Sequence, residues 1–542
     1  MKRAINRVGL VVCVVAWSGA TAMADWPAGD GMIVSDGCNE QSIPRVRPTS
    51  DGGCYVSWFD NCSGGYDIFL QRLDASGNEQ WAHNGIQIAN RAYSWTQYYG
   101  LDVDADDNAL LAFRDDRFGG LGAIVTVVKV APDGTMPWGA IGVQVSAAND
   151  IATSPRVAAT SDGNVVVSWG CEDSAGVASI RFQKLNAAGE RQWGDGIVVL
   201  TPDGGFFLNA DLHAGESGTV IASWVHQGPM FWSPRYLWAQ KYSPSGQPLW
   251  GDDPLVVYDG GSMQFGYQPP FVPDGSGGAL FRWYHTSPTL QCFVQHVLAD
   301  GTEQFGHNGV AASTMTWENR VDPCVSFDPV TNETYLFWVE MRIDQADRGL
   351  WGQKFDHNGV RLWTDHGREF VTPGLYDVHS LASIQHGEGA FISWIKSPSP
   401  VAQDQVLAAR VDGNGDFVWN TPMLDVTTTA SDKSRLSVVP GQTDAFLMVW
   451  MDDRAGTNDI YAQSVCPDGT MGTCGGKPGD LNCDGAVDFD DIDPFVLALS
   501  GEEAYLATYP DCRWLNADCN DDDAVDFDDI DAFVAVLGTS RP

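Results

Sequence analysis

The feature that most restricts how this chain can fold is a repeat of about 55 residues running through most of its length. An apolar run closing on an aromatic residue recurs at Trp58, Phe113, Trp169, Trp224, Trp283, Trp338, Trp394 and Trp450. The steps between them are 55, 56, 55, 59, 55, 56 and 56 residues. A second anchor follows in phase, as in QRLDASGNEQW at 71–81 and QKLNAAGERQW at 183–193; Trp138, Trp250, Phe305, Trp363 and Trp419 hold its last position elsewhere. Two anchors kept in register over so many units exclude coincidence.

Each unit carries four strand-like pieces. In the third unit they are Pro155–Thr160, Val165–Trp169, Ser179–Leu185 and Gly196–Leu200, with turns at Asp162-Gly163 and Ala188-Gly189. Four antiparallel strands at this period mark a β-propeller blade. Such a sheet cannot bury its faces alone, so neighbours must stack, with repeated Trp and Phe filling the space between them. The ends add a topological clue. Trp26–Val34 (WPAGDGMIV) matches the fourth piece of a unit, as in WGDGIVV at 193–199, whereas the last unit stops at Cys466–Met471 without one. A mainly β, eight-bladed propeller over 25–474 is therefore expected. The N-terminal strand should complete the last blade and remove the open edge.

Lys2, Arg3 and Arg7, the apolar run Val8–Trp17 and the small-x-small site Ala22-Met23-Ala24 read as an export signal over 1–24. That run is too short to span a bilayer and no other is long enough, so a secreted, periplasmic or cell-surface protein without a membrane span is expected. Cysteine usage agrees with an oxidising compartment: local spacing pairs Cys466 with Cys474, Cys483 with Cys512 and Cys38 with Cys62. Hydrophobic residues at 44% and charged ones at 19% exclude a wholly disordered chain. A formal charge of −39 excludes nucleic acid or an anionic membrane as a partner of the overall field.

After a short linker at 475–479 the composition changes. Residues 478–542 hold 17 acids against two bases. A block of like charge this dense needs a cation to organise it, and its spacing supplies oxygens for one. Asp480, Asn482, Asp484, Asp488 and Asp491 occupy loop positions 1, 3, 5, 9 and 12, with Gly485 at the sharp turn and the Ala486 carbonyl at position 7. The pattern returns 38 residues on as Asp518, Asn520, Asp522, Ala524, Asp526 and Asp529. Two Ca²⁺ sites are expected, the second weaker because Asp523 replaces the position-6 glycine. Ile492, Phe495, Val496 and Leu499, then Ile530, Phe533, Val534 and Leu537, predict two short helices packed together.

This tandem over 480–542 resembles the type I dockerin domain, on the strength of GDLNCDG at 479–485, its copy from Ala517, and Asp at position 12 of both loops. The resemblance implies a protein partner of the cohesin kind and attachment to polysaccharide degradation. It departs from the family at positions 10 and 11, where Phe489-Asp490 and Phe527-Asp528 stand in place of the small hydroxylated pair that meets cohesin.

No unit carries an evident catalytic insert. The positions two residues beyond each strand-ending aromatic are Asp60, Asp115, Cys171, His226, His285, Glu340, Lys396 and Asp452, expected as solvated rim residues. The favoured reading is a secreted calcium-binding modular protein whose propeller recognises a glycan or protein. Catalysis is left open: the alternative is a carbohydrate-active enzyme, a glycoside hydrolase or polysaccharide lyase, using carboxylates such as Asp60, Asp115, Glu340 and Asp452 on the propeller face. A third reading makes the calcium module merely a stable terminal cap.

Overall fold

The computed structural model describes residues 26–539 except 28, 95, 119–123, 288, 399–402, 442–444, 475–477, 484–486, 510–511, 513 and 521–523. The expected signal segment and most of the linker lie outside the described residues. The repeats form eight antiparallel sheets, seven of four strands and one of five pieces. The chain is an eight-bladed β-propeller. Blade 1 consists of Gln41–Pro48, Cys54–Asp60, Asp67–Leu73 and Ile86–Ala89. Blade 8 takes Lys433–Pro440, Phe446–Asp452 and Asp459–Val465 from the far end of the repeats and Met32–Ser35 from the N-terminus. Met32 lies opposite Ala462 and Ile33 opposite Tyr461, so the ring closes as expected.

First strands of neighbouring blades touch one another, which places them around the central axis. Second strands are sandwiched between blades, so runs such as Cys54–Asp60 and Phe446–Asp452 are buried at every position instead of alternating. Trp58, Trp224, Trp283, Trp338, Trp394 and Trp450 are all fully enclosed.

Most first strands carry a bulge near their start that the hydrophobic pattern does not reveal. Register shifts fall between Ser42 and Arg45, Thr153 and Arg156, and Val321 and Cys324. Ile43, Ser154 and Asp322 sit there at positive φ, each followed by a proline with no ladder N–H to lose. The first strand of blade 3 consequently begins at Ile151, four residues before the expected Pro155. In blade 5, Pro269-Pro270 divides the strand into Ser262–Met263 and Phe271–Pro273.

The second sequence anchor is explained by a contact between blades. Each indole that opens a fourth strand lies on a glycine in the hairpin of the next blade and donates its Nε1–H to a carbonyl there. Trp26 donates to Ala75 O at 2.9 Å, Trp138 to Ala187 O at 2.9 Å, Trp250 to Ala299 O at 3.1 Å and Trp419 to Pro467 O at 2.7 Å. Trp81, Trp193 and Trp363 do the same. A Cβ on Gly77, Gly301 or Gly469 would fall 2.9, 2.8 or 2.9 Å from the facing indole, and all three glycines have positive φ. Phe305 replaces Trp against Gly359, and the side chain of neighbouring Gln304 supplies the missing donor to His357 O at 2.9 Å. Buried glutamines hold the indole-bearing loops. Gln183 and Gln240 accept from Trp193 N and Trp250 N. In blade 8, Gln463 donates to Pro27 O at 2.9 Å and so fixes the closing segment.

All three expected disulfides are present. Cys54, Cys171, Cys292 and Cys324 are buried free thiols. After the propeller come helices Ile492–Ala498, Glu502–Leu506 and Ile530–Thr539, so one short helix joins the two expected. Phe495 and Phe533 stack at 4.1 Å with their planes 4° apart. Among the described residues no helix is long and apolar enough to cross a membrane.

Substituting Gly301→Val should cost roughly 2–5 kcal/mol, from a side chain at positive φ and overpacking against Trp250. Trp250→Ala should cost about 3–5 kcal/mol. The double variant should fall well short of the sum, because removing the indole relieves the clash. Urea unfolding of the three variants measures this, and strict additivity would show that the two side chains do not meet.

Candidate functional site

The two C-terminal loops are built alike. In the first, Asp488 caps the turn by accepting from Asp490 N at 2.9 Å, and Asp491 reaches back across the loop. Asp491 Oδ1 accepts from Leu481 N at 2.7 Å and Asn482 N at 3.0 Å, while Oδ2 accepts from Asp488 N at 2.9 Å. In the second, Asp529 accepts from Cys519 N at 2.8 Å, Asn520 N at 3.2 Å and Asp526 N at 2.9 Å. Asp526 caps through Asp528 N at 2.8 Å. The position-12 carboxylate thus ties positions 2, 3 and 9 together in both copies. Asp491 and Asp529 are fully buried, and no described Lys, Arg or His forms an ion pair with either.

Asp480 is also buried, and its backbone carbonyl accepts from Asn516 Nδ2 at 2.7 Å. Asn516 O in turn accepts from Gly479 N, which links one copy to the approach of the other. Asn482, Asp518, Asn520, Ala524 and Asp526 are among the described residues, whereas Asp484, Ala486 and Asp522 lie outside them. The described donors are all oxygen, the chemistry a hard divalent cation requires. No described cluster of three or more His, Cys, Asp or Glu is drawn together around one centre.

On the propeller, the rim positions are not the solvated residues expected. Asp60, Asp115, Cys171, His226, His285, Glu340 and Asp452 are buried, because each lies at the end of a sandwiched second strand, and Lys396 is partly buried. Their polar groups are taken up close by. Asp60 accepts from Gln41 Nε2 at 3.0 Å and Cys62 N at 2.8 Å. Asp115 pairs with Arg117 at 2.8 Å. Glu340 accepts from Trp338 Nε1 at 2.5 Å and pairs with Arg320 at 2.8 Å. Asp452 accepts from Trp450 Nε1 at 3.2 Å and from Ser431 Oγ at 2.6 Å. His285 meets the Tyr258 hydroxyl at 2.6 Å. The carboxylates among these groups find their partners at the ends of their own blades, whereas His285 reaches the fourth strand of blade 4.

Burial raises the carboxyls of Asp60 and Glu340, and a further rim carboxyl is affected more strongly. Asp459 lies directly across the ladder from Asp452 and is buried. Burial, with the charges of Asp36 and Asp452, pushes its pKa up to about 6.

The same end of the ring carries an aromatic shelf that the repeat pattern does not predict. Phe231 and Trp232, between the second and third strands of blade 4, are 68% and 81% exposed, and Phe265, between the two pieces of the first strand of blade 5, is 60% exposed. Phe231 and Phe265 meet at 5.3 Å, and Arg235 lies over Phe265 at 5.2 Å. The loop beneath is tied down. Gln227 Nε2 donates to Met230 O at 3.2 Å and Phe231 O at 3.1 Å, and Arg235 bonds Gln227 Oε1 at 3.1 Å and Met263 O at 3.2 Å. The sequence signal was the run Met230-Phe231-Trp232 in an otherwise polar turn.

No known protein family and no curated protein sequence matches the chain. Among solved structures it is similar to an ulvan lyase of a polysaccharide lyase family, at 10% identity and TM-score 0.41 over 83% of this chain and 96% of the other. It is also similar to an α-L-arabinofuranosidase of Fusarium graminearum, at 10% identity and TM-score 0.36 over 81% and 98%. A third likeness is to a glycoside hydrolase from Xanthomonas citri, at 12% identity and TM-score 0.28 over 82% and 92%. The propeller assignment rests on this chain's own strand order, and no chemistry follows from likenesses at this level.

Replacing Asp529 by Ala strands three backbone N–H groups in a buried loop. This should destabilise the C-terminal module by about 3 kcal/mol or more. Hydrogen exchange over 514–539 should accelerate while exchange in the blades stays unchanged. Unaltered exchange in 514–539 would show that the carboxylate does not hold the loop.

Proposed function

We propose that this is an exported glycan-recognition protein in which the propeller binds sugar and the C-terminal module docks to a protein partner of the cohesin kind. The observation that carries the reading is the shelf of Phe231, Trp232 and Phe265. Large apolar rings held out of the core on a braced loop mark a binding surface, and flat aromatic faces suit the apolar faces of sugar rings. The three disulfides and the leader pattern support an oxidising destination.

In the C-terminal module, Asp480, Asn482, Asp488 and Asp491 would hold one Ca²⁺, and Asp518, Asn520, Ala524, Asp526 and Asp529 the other, together with Asp484, Ala486 and Asp522. Bound calcium would neutralise the acidic block and set the helices that a partner meets. The buried, ion-pair-free carboxylates of Asp491 and Asp529 support this reading. A second reading, a carbohydrate-active enzyme, is favoured by one observation: a buried carboxyl raised toward neutrality, as Asp459 is, has the property a general acid needs.

In the full-length protein, adding Ca²⁺ should slow hydrogen exchange across 480–539 and leave the blades unaffected, and Asp488→Ala should abolish the slowing in its own loop. Equal exchange with calcium and with chelator would remove the calcium role. In affinity electrophoresis across a panel of polysaccharides, at least one should retard the protein. Phe231→Ala/Trp232→Ala should weaken that retardation about tenfold, the effect of losing roughly 1.4 kcal/mol of stacking. Release of new reducing ends or unsaturated product, lost in Asp459→Asn, would move the assignment to the enzyme.

A further inference from the structure

The repeats place two arginines at one equivalent position of the central ring. Pro44-Arg45-Val46 and Pro155-Arg156-Val157 follow the bulges of blades 1 and 3, and Arg45 pairs with Ser57 as Arg156 does with Ser168. On blade 2 between them the corresponding residue is Gly100, opposite Ala112, and on blade 4 it is Asp211, opposite Ser223. Bulges re-aim side chains, and here each stands next to a residue at positive φ, Ile43 or Ser154.

The two guanidinium groups are differently supplied. Arg156 Nε donates to Ala210 O at 2.9 Å and Nη2 to Gln268 Oε1 at 3.1 Å, and the exposed Tyr98 ring lies 5.2 Å from its guanidinium. Arg45 lies 5.0 Å from the Tyr99 ring, and its Nε is buried with no hydrogen-bond partner among the described residues. Neither arginine forms an ion pair with a described carboxylate. Neighbouring Arg47 already faces Asp102 at 3.5 Å. Asp211 is the nearby counter-charge, but it accepts from His213 Nε2 at 3.0 Å and from Leu212 N at 3.0 Å. Burial works against its ionisation, yet His213 and Arg156 outweigh this and hold its carboxyl at about 2. Burial, and then the charge of Arg45, lower Arg156 to about 10.

In a chain of net charge −39, two guanidinium groups set against the consecutive rings Tyr99 and Tyr98, with one nearby and already engaged carboxylate, amount to a local reversal of the field. Guanidinium groups with free donors match the oxygens of carboxylate and sulfate. The position also joins the aromatic shelf: Gln268, which holds Arg156, is three residues from Phe265 in one loop, and its Nε2 bonds Ser154 Oγ at 3.0 Å. We propose that Arg45 and Arg156 form an oxyanion site at the central ring that selects acidic glycans, bearing uronate or sulfate ester, over neutral ones. This deepens the glycan-recognition reading and rests on it.

The test titrates the full-length protein, at constant ionic strength, with oligogalacturonate, with a sulfated oligosaccharide and with a neutral cello-oligosaccharide of equal length. At least one acidic ligand should bind tenfold or more tightly than the neutral one, and which one does so identifies carboxylate or sulfate as the source. Arg45→Gln should erase that preference. Among the described residues the Arg45 side chain makes no hydrogen bond, and circular dichroism and the thermal transition of the variant verify its fold. Arg156→Gln should do likewise, Arg45→Lys should keep part of the preference, and Trp232→Ala should weaken acidic and neutral ligands equally. Neutral binding without acidic preference, or an Arg45→Gln variant that keeps the preference, overturns the anion site alone. Absence of binding to every glycan overturns it together with the recognition reading.

Discussion

The ring depends on one contact made again and again: an indole at the start of a fourth strand lying on a glycine of the next blade and donating to its backbone. Most of the blade surfaces are apolar and could slide past one another, since burial is not directional. The indole contact is directional. It needs a bare Cα at positive φ, a free carbonyl and an aromatic ring of fixed reach, and so it fixes both the spacing and the rotation between blades. Where Phe305 breaks the pattern, the lost donor is recovered from Gln304. The closing step uses the same chemistry, with Trp26 reaching Ala75 O and Gln463 holding Pro27 O.

A rigid ring leaves function to its irregularities. The carboxylates that end the second strands are hydrogen-bonded within their own blades. What stands out from the average repeat is local: a braced aromatic loop on blade 4, a double proline in blade 5, and arginines at one equivalent position of the first strands of blades 1 and 3. These fall on blades 1, 3, 4 and 5, and Arg156 is joined to the aromatic loop through Gln268. The C-terminal module follows a separate logic, in which a small core centred on Phe495 and Phe533 is reinforced by Cys483–Cys512 and by carboxylates folded back onto backbone N–H groups.

Periodicity made the blades legible because each strand answers to the same burial on every pass, and the displaced fourth strand could be read from its likeness to WGDGIVV. The bulges escaped because a register shift changes hydrogen bonding without changing which residues are apolar. The solvated rim was misjudged for a related reason. Asp60, Glu340 and Asp452 look like loop residues by type, yet they end strands that are covered on both faces, and only their partners Gln41, Trp338 and Ser431 make burial tolerable. The tandem loops were visible in full as spacing. What spacing did not reveal was that Asp491 and Asp529 gather backbone donors into the loop.

The amino-acid sequence by itself determined the number of blades, the split last blade, three disulfide pairs and the duplicated acidic loops, because all of these follow from local pattern and repetition. The tertiary structure alone decided which polar groups are already satisfied and which remain available. Two arginines 111 residues apart come to lie over the consecutive rings Tyr99 and Tyr98 only when the blades pack, and an indole finds its glycine only in the following blade. Electrostatics and hydrogen bonding act across space, so their balance is set by the packing of blades and cannot be read along the chain.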